Sequence, residues 1–370
     1  MRIAALILLL VFTRLALALD LRPSFDAQAR HMIEDRATVG LVVAIYRNGA
    51  TQVVGYGETK KGSGVVPDGD TVYEVGSITK TFTATLLADM MLRDMVKLDA
   101  PFYEYLPPSV KVPLKDGRAI TLEHLVTHTS GYPRQPENLL PIDRRNPYAD
   151  YTVERMYEFL NWYELRRPPG QYEYSNFGFG LLGHVLSLRA GRTYEELLVE
   201  RICQPLGMRD TLQAPNADML RRLAPPYNDV LQPDRNWDLG ALQGAGGIRS
   251  TANDMLKYIR AHIVDDGTPL ARAMRLTHVR HYTSGGGRGQ LLKGQGIGLT
   301  WRMTHDDKIL FHGGSTGGYR AWMAIVPSRG VGIIVLANSA SGKIYPFGDR
   351  LIHIVLGDRK PQALESAGPE

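Results

Sequence analysis

Apolar positions along the chain switch between two spacings, and the switches mark out its elements. Leu41-Val42-Val43-Ala44-Ile45-Tyr46 and Thr51-Gln52-Val53-Val54-Gly55-Tyr56 flank Asn48-Gly49. Two such runs around Asn-Gly predict a hairpin, because the tightest hairpin loops need positive φ at both turn residues. Upstream, Phe25 to Ala37 has the period of an amphipathic helix. Downstream, Ile78, Phe82, Leu86, Leu87, Met90, Met91 and Met95 recur at helical spacing. That spacing predicts a helix over residues 77–96 with one face toward a core, and Ser77 capping its start.

Between about 100 and 290, helical runs alternate with proline-rich loops at Pro107-Pro108, Pro133 to Pro147 and Pro225-Pro226, and strand signals are sparse. From 290 onward, Gly298 to Met303, Lys308 to Phe311, Tyr319 to Val326 and Val331 to Leu336 read as four successive strands, and Phe347 to Leu356 as a closing helix. Strands at both chain ends with helices between them imply one sheet built from the two termini and a helical insertion, an α+β fold. The sheet is expected from about 38–76 and 290–340 and the helical subdomain from about 100–290, all in a single domain over 19–359.

The first residues change the picture of location. Met1-Arg2, the apolar run Ile3 to Phe12 and the small residues Ala16-Leu17-Ala18 fit a secretory signal over 1–18, so export to a periplasmic or extracellular space is expected. Arg14 leaves the run short for a membrane span, with an uncleaved anchor as the alternative. No integral span is expected after signal cleavage, and residues 360–370 read as a flexible tail.

Composition narrows the classes further. At 370 residues and 44% hydrophobic the chain can bury a sizeable core. The net charge of +5 comes from arginines spread in pairs such as Arg144-Arg145 and Arg166-Arg167, a solvated surface with no aromatic-interleaved basic cluster, so no nucleic-acid partner is expected. Cys203 is the only cysteine, which excludes an intramolecular disulfide and a cysteine zinc cluster and leaves a small core residue.

Three separated motifs carry the candidate chemistry. Ser77-Ile78-Thr79-Lys80 is the only Ser-x-x-Lys in the chain, and on a helix it sets an amine one turn from a hydroxyl, a nucleophile with a built-in base. Tyr174-Ser175-Asn176 places a phenol and an amide two residues apart after the turn Pro168-Pro169-Gly170. His312-Gly313-Gly314-Ser315 follows a strand-like run and supplies small residues that let a substrate backbone approach.

In this order the motifs resemble those of the serine β-lactamase-related family, in the branch of class C β-lactamases and D-alanyl-D-alanine carboxypeptidases (penicillin-binding proteins) with their esterase relatives. Leu125 to Tyr132, Gly246 to Met255 and Val335 to Ser339 are similar to the same family. The third motif departs: a typical class C β-lactamase has Lys-Thr-Gly where this chain has His312-Gly313-Gly314, a form more like that of some DD-peptidases and esterases. The resemblance implies an antiparallel sheet flanked by helices beside an all-helical subdomain, with the site in the cleft.

It also implies roles. Ser77 is the acylated nucleophile, the backbone N–H groups of Ser77 and Ser315 form the oxyanion hole, and Lys80 and Tyr174 share the proton work, either being the base. Asn176 holds a substrate amide and orients Lys80. His312 binds a substrate carboxylate or relays a proton to Tyr174, and Gly313 and Gly314 line the substrate. The expected activity is acyl-enzyme formation with β-lactams or D-alanyl peptides by a monomer acting on a small molecule or a peptidoglycan peptide. A carboxylesterase with the same site and a non-catalytic cell-wall peptide binder are the alternatives. No cofactor or metal is called for.

Three other patterns read as structural. Gly313-Gly314-Ser315-Thr316-Gly317 matches a nucleophile elbow, but strand formers follow where the elbow needs a helix. His124 and His128 stand four apart without the glutamate of a zinc helix, and Gly285-Gly286-Gly287-Arg288-Gly289 lacks the strand-to-helix setting of a phosphate loop.

Overall fold

The computed structural model describes residues 20–286 and 291–358. Within them, the first hairpin joins β1 (Gly40–Arg47) to β2 (Ala50–Gly57), with Asn48 at φ +49 and Gly49 at φ +93 in the turn. A short β3 (Val72–Glu74) pairs antiparallel with β4 (Arg249–Thr251) in a separate two-stranded sheet. The rest of the large sheet comes from the C-terminal third: β5 (Tyr282–Thr283), β6 (Gly296–Ile297), β7 (Arg302–Met303), β8 (Leu310–Ser315), β9 (Arg320–Val326) and β10 (Val331–Ala337). Its order is β2-β1-β10-β9-β8-β7-β6-β5, with every neighbouring pair antiparallel. The N-terminal hairpin thus joins the C-terminal strands at β10.

Burial on both faces explains why the central strands read as unbroken apolar runs. Along β1, Leu41, Val43 and Ile45 pack into one core and Val42, Ala44 and Tyr46 into another. The first core lies under α1 (Arg22–Glu34) and the C-terminal helix Ile344–Leu356. The second joins the sheet to the helical lobe, led by α2 (Thr79–Leu92), α3 (Asn176–Ala190) and α4 (Ala252–Ile263), and the C-terminal helix is α5.

Four expectations need correction. The helix predicted over 77–96 is a 3-10 turn at Gly76–Ile78 followed by α2, so Ser77 lies inside the turn and caps nothing. Nor does α2 show one apolar face, because it is buried almost continuously from Thr79 to Met90. Its threonines tolerate this by bonding to carbonyls, Thr81 Oγ1 to Ile78 O at 2.8 Å and Thr83 Oγ1 to Gly244 O at 2.7 Å. Of the strand predicted over 298–303 only Arg302–Met303 is strand, as β7, while 298–301 form the reversal between β6 and β7, with Thr300 at φ +67 and Gly298 N–H donating to Trp301 O. Residues 72–74, taken with the large sheet, belong to the small one. The signal over 1–18 and the tail over 360–370 lie outside the described residues, as does part of Gly285–Gly289.

Candidate active site

β3 delivers the chain through Val75 into the Gly76–Ile78 turn, and this turn presses against β8 backbone to backbone. Gly76 has φ +51, and a Cβ there would stand 2.5 Å from Ser315 N. A Cβ on Gly314 would stand 2.0 Å from Val75 O. Any side chain at either position would force the two elements apart, so the glycines set Ser77 beside the end of β8. Behind the turn, Val75 N–H bonds to Ile248 O at 3.0 Å and Ile248 N–H to Thr79 Oγ1 at 3.1 Å. The buried Glu74 ties in a further segment, accepting from Asn236 Nδ2 and Trp237 N, each at 2.9 Å.

One helical turn on, Lys80 is fully buried and its Nζ bonds to Ser77 Oγ at 3.1 Å, to Asn176 Oδ1 at 2.8 Å and to Ala245 O at 2.7 Å. Asn176 is placed by the start of α3. Ser175 is the N-cap, its Oγ accepting from Gly178 N at 2.8 Å and donating to Pro133 O at 2.7 Å. The cap residue separates Tyr174 from Asn176 and turns both toward Lys80, whose Nζ stands 4.9 Å from the centre of the Tyr174 ring.

Tyr174 stacks on His128, with ring centres 4.3 Å apart and planes 29° apart, and the Arg134 guanidinium stands 5.3 Å from its ring centre. His128 is buried and accepts from Ser175 N–H at Nδ1, 3.0 Å, so its hydrogen belongs on Nε2. Burial, reinforced by Lys80, His312, Arg302 and Arg134, holds its pKa well below the usual value, and the ring is neutral at pH 7.

On the opposite wall, β7 pairs with β8 only at Arg302↔Phe311 and Met303↔Leu310. From His312 to Ser315, β8 is paired in a ladder with β9 alone among the described residues. His312 is also buried, and burial, then Lys80 and Arg302, push its pKa down to about 3. It too is neutral at pH 7, but its Nδ1 lies 2.7 Å from Gly313 O, a carbonyl that can only accept, so Nδ1 carries the hydrogen and Nε2 the lone pair. Tyr345, from α5, donates to Gly314 O at 3.0 Å, and its ring fills the place where a Gly313 Cβ would be, at 2.8 Å.

The structure therefore brings Ser77, Lys80 and Asn176 into one hydrogen-bonded cluster, with Tyr174 alongside Lys80 and with Gly314 and Ser315 against the Ser77 turn. His312 and Gly313 continue the β8 wall. The elbow pattern at Gly313–Gly317 runs from β8 into β9, a strand. His124, the other half of the four-residue histidine spacing, caps a short helix through its Nδ1 and Thr121. Sequence reasoning passed over His128 as a group that touches Tyr174, and over Arg134, Arg302, Tyr345 and Glu74. Leu125 to Tyr132 was singled out only as a similar stretch, which marks His128 without saying what it does.

The family model for β-lactamase matches residues 25–356. Among similar proteins, a D-alanyl-D-alanine-carboxypeptidase/endopeptidase, AmpH of Escherichia coli (strain K12), is 31% identical over 330 residues, which are 85% of this chain and 83% of that protein. A β-lactamase of Pseudomonas fluorescens is 29% identical over 90% of this chain and 97% of its own. The solved structure of a β-lactamase/D-alanine carboxypeptidase from Yersinia pestis, complexed with citrate, superposes with a TM-score of 0.79 at 28% identity, covering 91% of this chain and 98% of that one. The fold is that of the β-lactamases and DD-peptidases, and the chain belongs to the β-lactamase family, and with it to the serine acyl-hydrolases.

Proposed function

We propose that Ser77 forms an acyl-enzyme with D-alanyl peptides or β-lactams, with Lys80, Tyr174 and Asn176 as its working partners. The observation that carries this reading is the placement of Lys80 Nζ, 3.1 Å from Ser77 Oγ while anchored to Asn176 Oδ1 and Ala245 O. Oxygens that only accept, such as Asn176 Oδ1 and Ala245 O, suit the N–H groups of an ammonium, which has no lone pair left for a proton. The proton of Ser77 then passes to Tyr174, which takes it up as a phenolate beside the charge of Lys80 and becomes the phenol. Ser77 Oγ bonds to the carbonyl carbon, and the carbonyl oxygen takes the negative charge between the backbone N–H groups of Ser77 and Ser315. Collapse breaks the C–N bond, the proton goes from Tyr174 to the departing amine, and water releases the acyl group by the reverse sequence.

The open stretch of β8 from His312 to Ser315 suits an extended peptide laid along it. His312 offers a lone pair at Nε2 and no charge, which supports the proton relay to Tyr174 over direct capture of a carboxylate. The same neutrality favours one second reading, a carboxylesterase for substrates without a carboxylate. Among the described residues no helix is long and apolar enough to cross a membrane. An exported protein, read from residues 1–18, fits a peptidoglycan-peptide substrate.

Intact-mass spectrometry after mixing with benzylpenicillin tests the reading. The expected result is a mass increase of one penicillin, lost in Ser77→Ala. A lasting adduct marks a penicillin-binding peptidase and a transient one a β-lactamase. No adduct at any time, with turnover of a chromogenic ester, overturns the reading in favour of the esterase.

A further inference from the structure

We propose that His128 is a positioning residue that fixes the ring and the backbone of Tyr174. The inference rests on the proposed role of Tyr174 and gives a role to a residue that the family-like stretch Leu125 to Tyr132 marks without one. Three separate contacts converge on the tyrosine. The carbonyl of His128 accepts from Glu173 N–H at 2.7 Å, the residue before Tyr174, and its Nδ1 accepts from Ser175 N–H at 3.0 Å, the residue after. Its ring covers one face of the phenol ring at 4.3 Å. His128 is itself wedged between Phe179, at 4.7 Å, and Tyr172, at 5.9 Å, so the grip is rigid.

The backbone supports the same assignment. His128 has φ +60, a left-handed conformation that costs free energy for a residue with a side chain and persists where the surroundings impose it. That conformation is what lets one residue present its carbonyl and its Nδ1 to two N–H groups on either side of Tyr174. The groups whose charge bears on the ring are Lys80, His312, Arg302 and Arg134, all cationic or neutral, so the imidazole stays uncharged and keeps Nδ1 as an acceptor. A protonated ring would lose the bond to Ser175 and with it one handle on the tyrosine. Rate depends steeply on such placement, since a shift of about 1 Å in a reacting group can cost about 100-fold.

Two variants separate the handles. His128→Asn tolerates positive φ and retains an acceptor near the Nδ1 position, but has no ring to stack. His128→Phe keeps a ring and loses the acceptor. With a chromogenic β-lactam and the full-length protein, each is expected to lower kcat about 10-fold with KM changed less than threefold, and His128→Ala about 100-fold. The pH dependence of kcat is expected to shift in all three. In protein labelled with carbon-13 at the tyrosine Cζ, the Tyr174 resonance, assigned by its loss in Tyr174→Phe, is expected to move in both His128→Asn and His128→Phe.

An unmoved resonance and an unchanged pH profile in variants that melt cooperatively would overturn the proposal. So would activity losses that merely follow the unfolded fraction. The resonance needs no turnover, so it judges His128 even if the wild-type protein fails to acylate, a result that would count against the proposed function alone.

Discussion

His128 and His312 face the Ser77–Lys80 pair from opposite walls of the cleft and carry their single hydrogens on opposite nitrogens. On the helical wall, His128 accepts at Nδ1 from Ser175. On the sheet wall, His312 donates from Nδ1 to Gly313 O and keeps a lone pair at Nε2. Burial holds both neutral. The same side chain thus serves a wall that positions side chains and a wall that offers backbone and an acceptor. In the proposed mechanism the helical wall carries the bond-making groups, and the side chains of Lys80, Asn176, Ser175 and His128 supply most of its contacts near 3 Å. The sheet wall is glycine laid against Val75 and the Ser77 turn, and the task proposed for it is to hold a substrate.

If this division is right, changes on the helical wall abolish rate and changes on the sheet wall redirect it. Ser77→Ala is expected to remove covalent labelling altogether while the melting temperature stays near that of the wild type, since Ser77 caps no helix. Labelling that survives in Ser77→Ala and disappears in Ser315→Ala would move the nucleophile to the other wall. Next in size, Lys80→Ala and Tyr174→Phe are each expected to slow acylation by a factor on the order of 100 to 10,000, the usual reach of acid–base catalysis, with weaker effects on KM. Pre-steady-state acylation rates decide this, and near-native values in both variants would break the helical wall's claim.

The helical wall was also the more legible one. Ser77 and Lys80 are linked by the pitch of one helical turn, and Tyr174 and Asn176 by a cap residue between them, so local sequence held most of their geometry. The β8 residues showed themselves through glycines that only a close approach explains. His128 did not, because its partner Ser175 is 47 residues away and its role depends on a left-handed backbone and a stack. Arg302 was hidden for a related reason. Leu299-Thr300-Trp301 carries strand propensity, yet Thr300 at φ +67 turns the chain back and begins β7 at Arg302. Propensity yields there to tertiary packing, with Trp301 fully buried.

The sheet wall is probed by His312→Lys. A lysine ammonium gives a substrate carboxylate a charge that the neutral imidazole lacks. Reactivity toward carboxylate-bearing β-lactams is expected to rise and that toward neutral esters to fall, whereas His312→Ala impairs both. The ratio of kcat/KM for the two substrate classes is the readout, with a change of about 10-fold expected. Equal effects on both classes would remove His312 from substrate discrimination and leave it the relay alone.

The smallest effect tests the feature the two histidines share. Both have folded-state pKa values below the ordinary 6.5 of an unfolded chain, His312 at about 3. The stacked pair of buried His262 and half-buried His278 behaves alike, with His278 at about 4. Above pH 6.5 neither state binds a proton at these sites, and they leave stability unchanged with pH. Below it the unfolded chain takes up protons that the folded chain refuses, so unfolding becomes easier as pH falls. Each such histidine contributes a loss of about 1.4 kcal/mol per pH unit until pH reaches its folded value. The paired carboxylates Asp26 and Asp306, held at about 2, lose their contribution only below the ordinary carboxylate value near 3.8, and buried Glu74, with its pKa raised, acts in the opposite sense. The window from pH 6.5 to about 4 therefore belongs mainly to the histidines. Urea titrations at pH 7.5, 6.5 and 5.5 should show stability flat across the first interval and falling across the second. His312→Asn should lessen the second slope by one histidine's share, and an identical slope in that variant would mean that the sheet-wall histidine is protonated in the folded state.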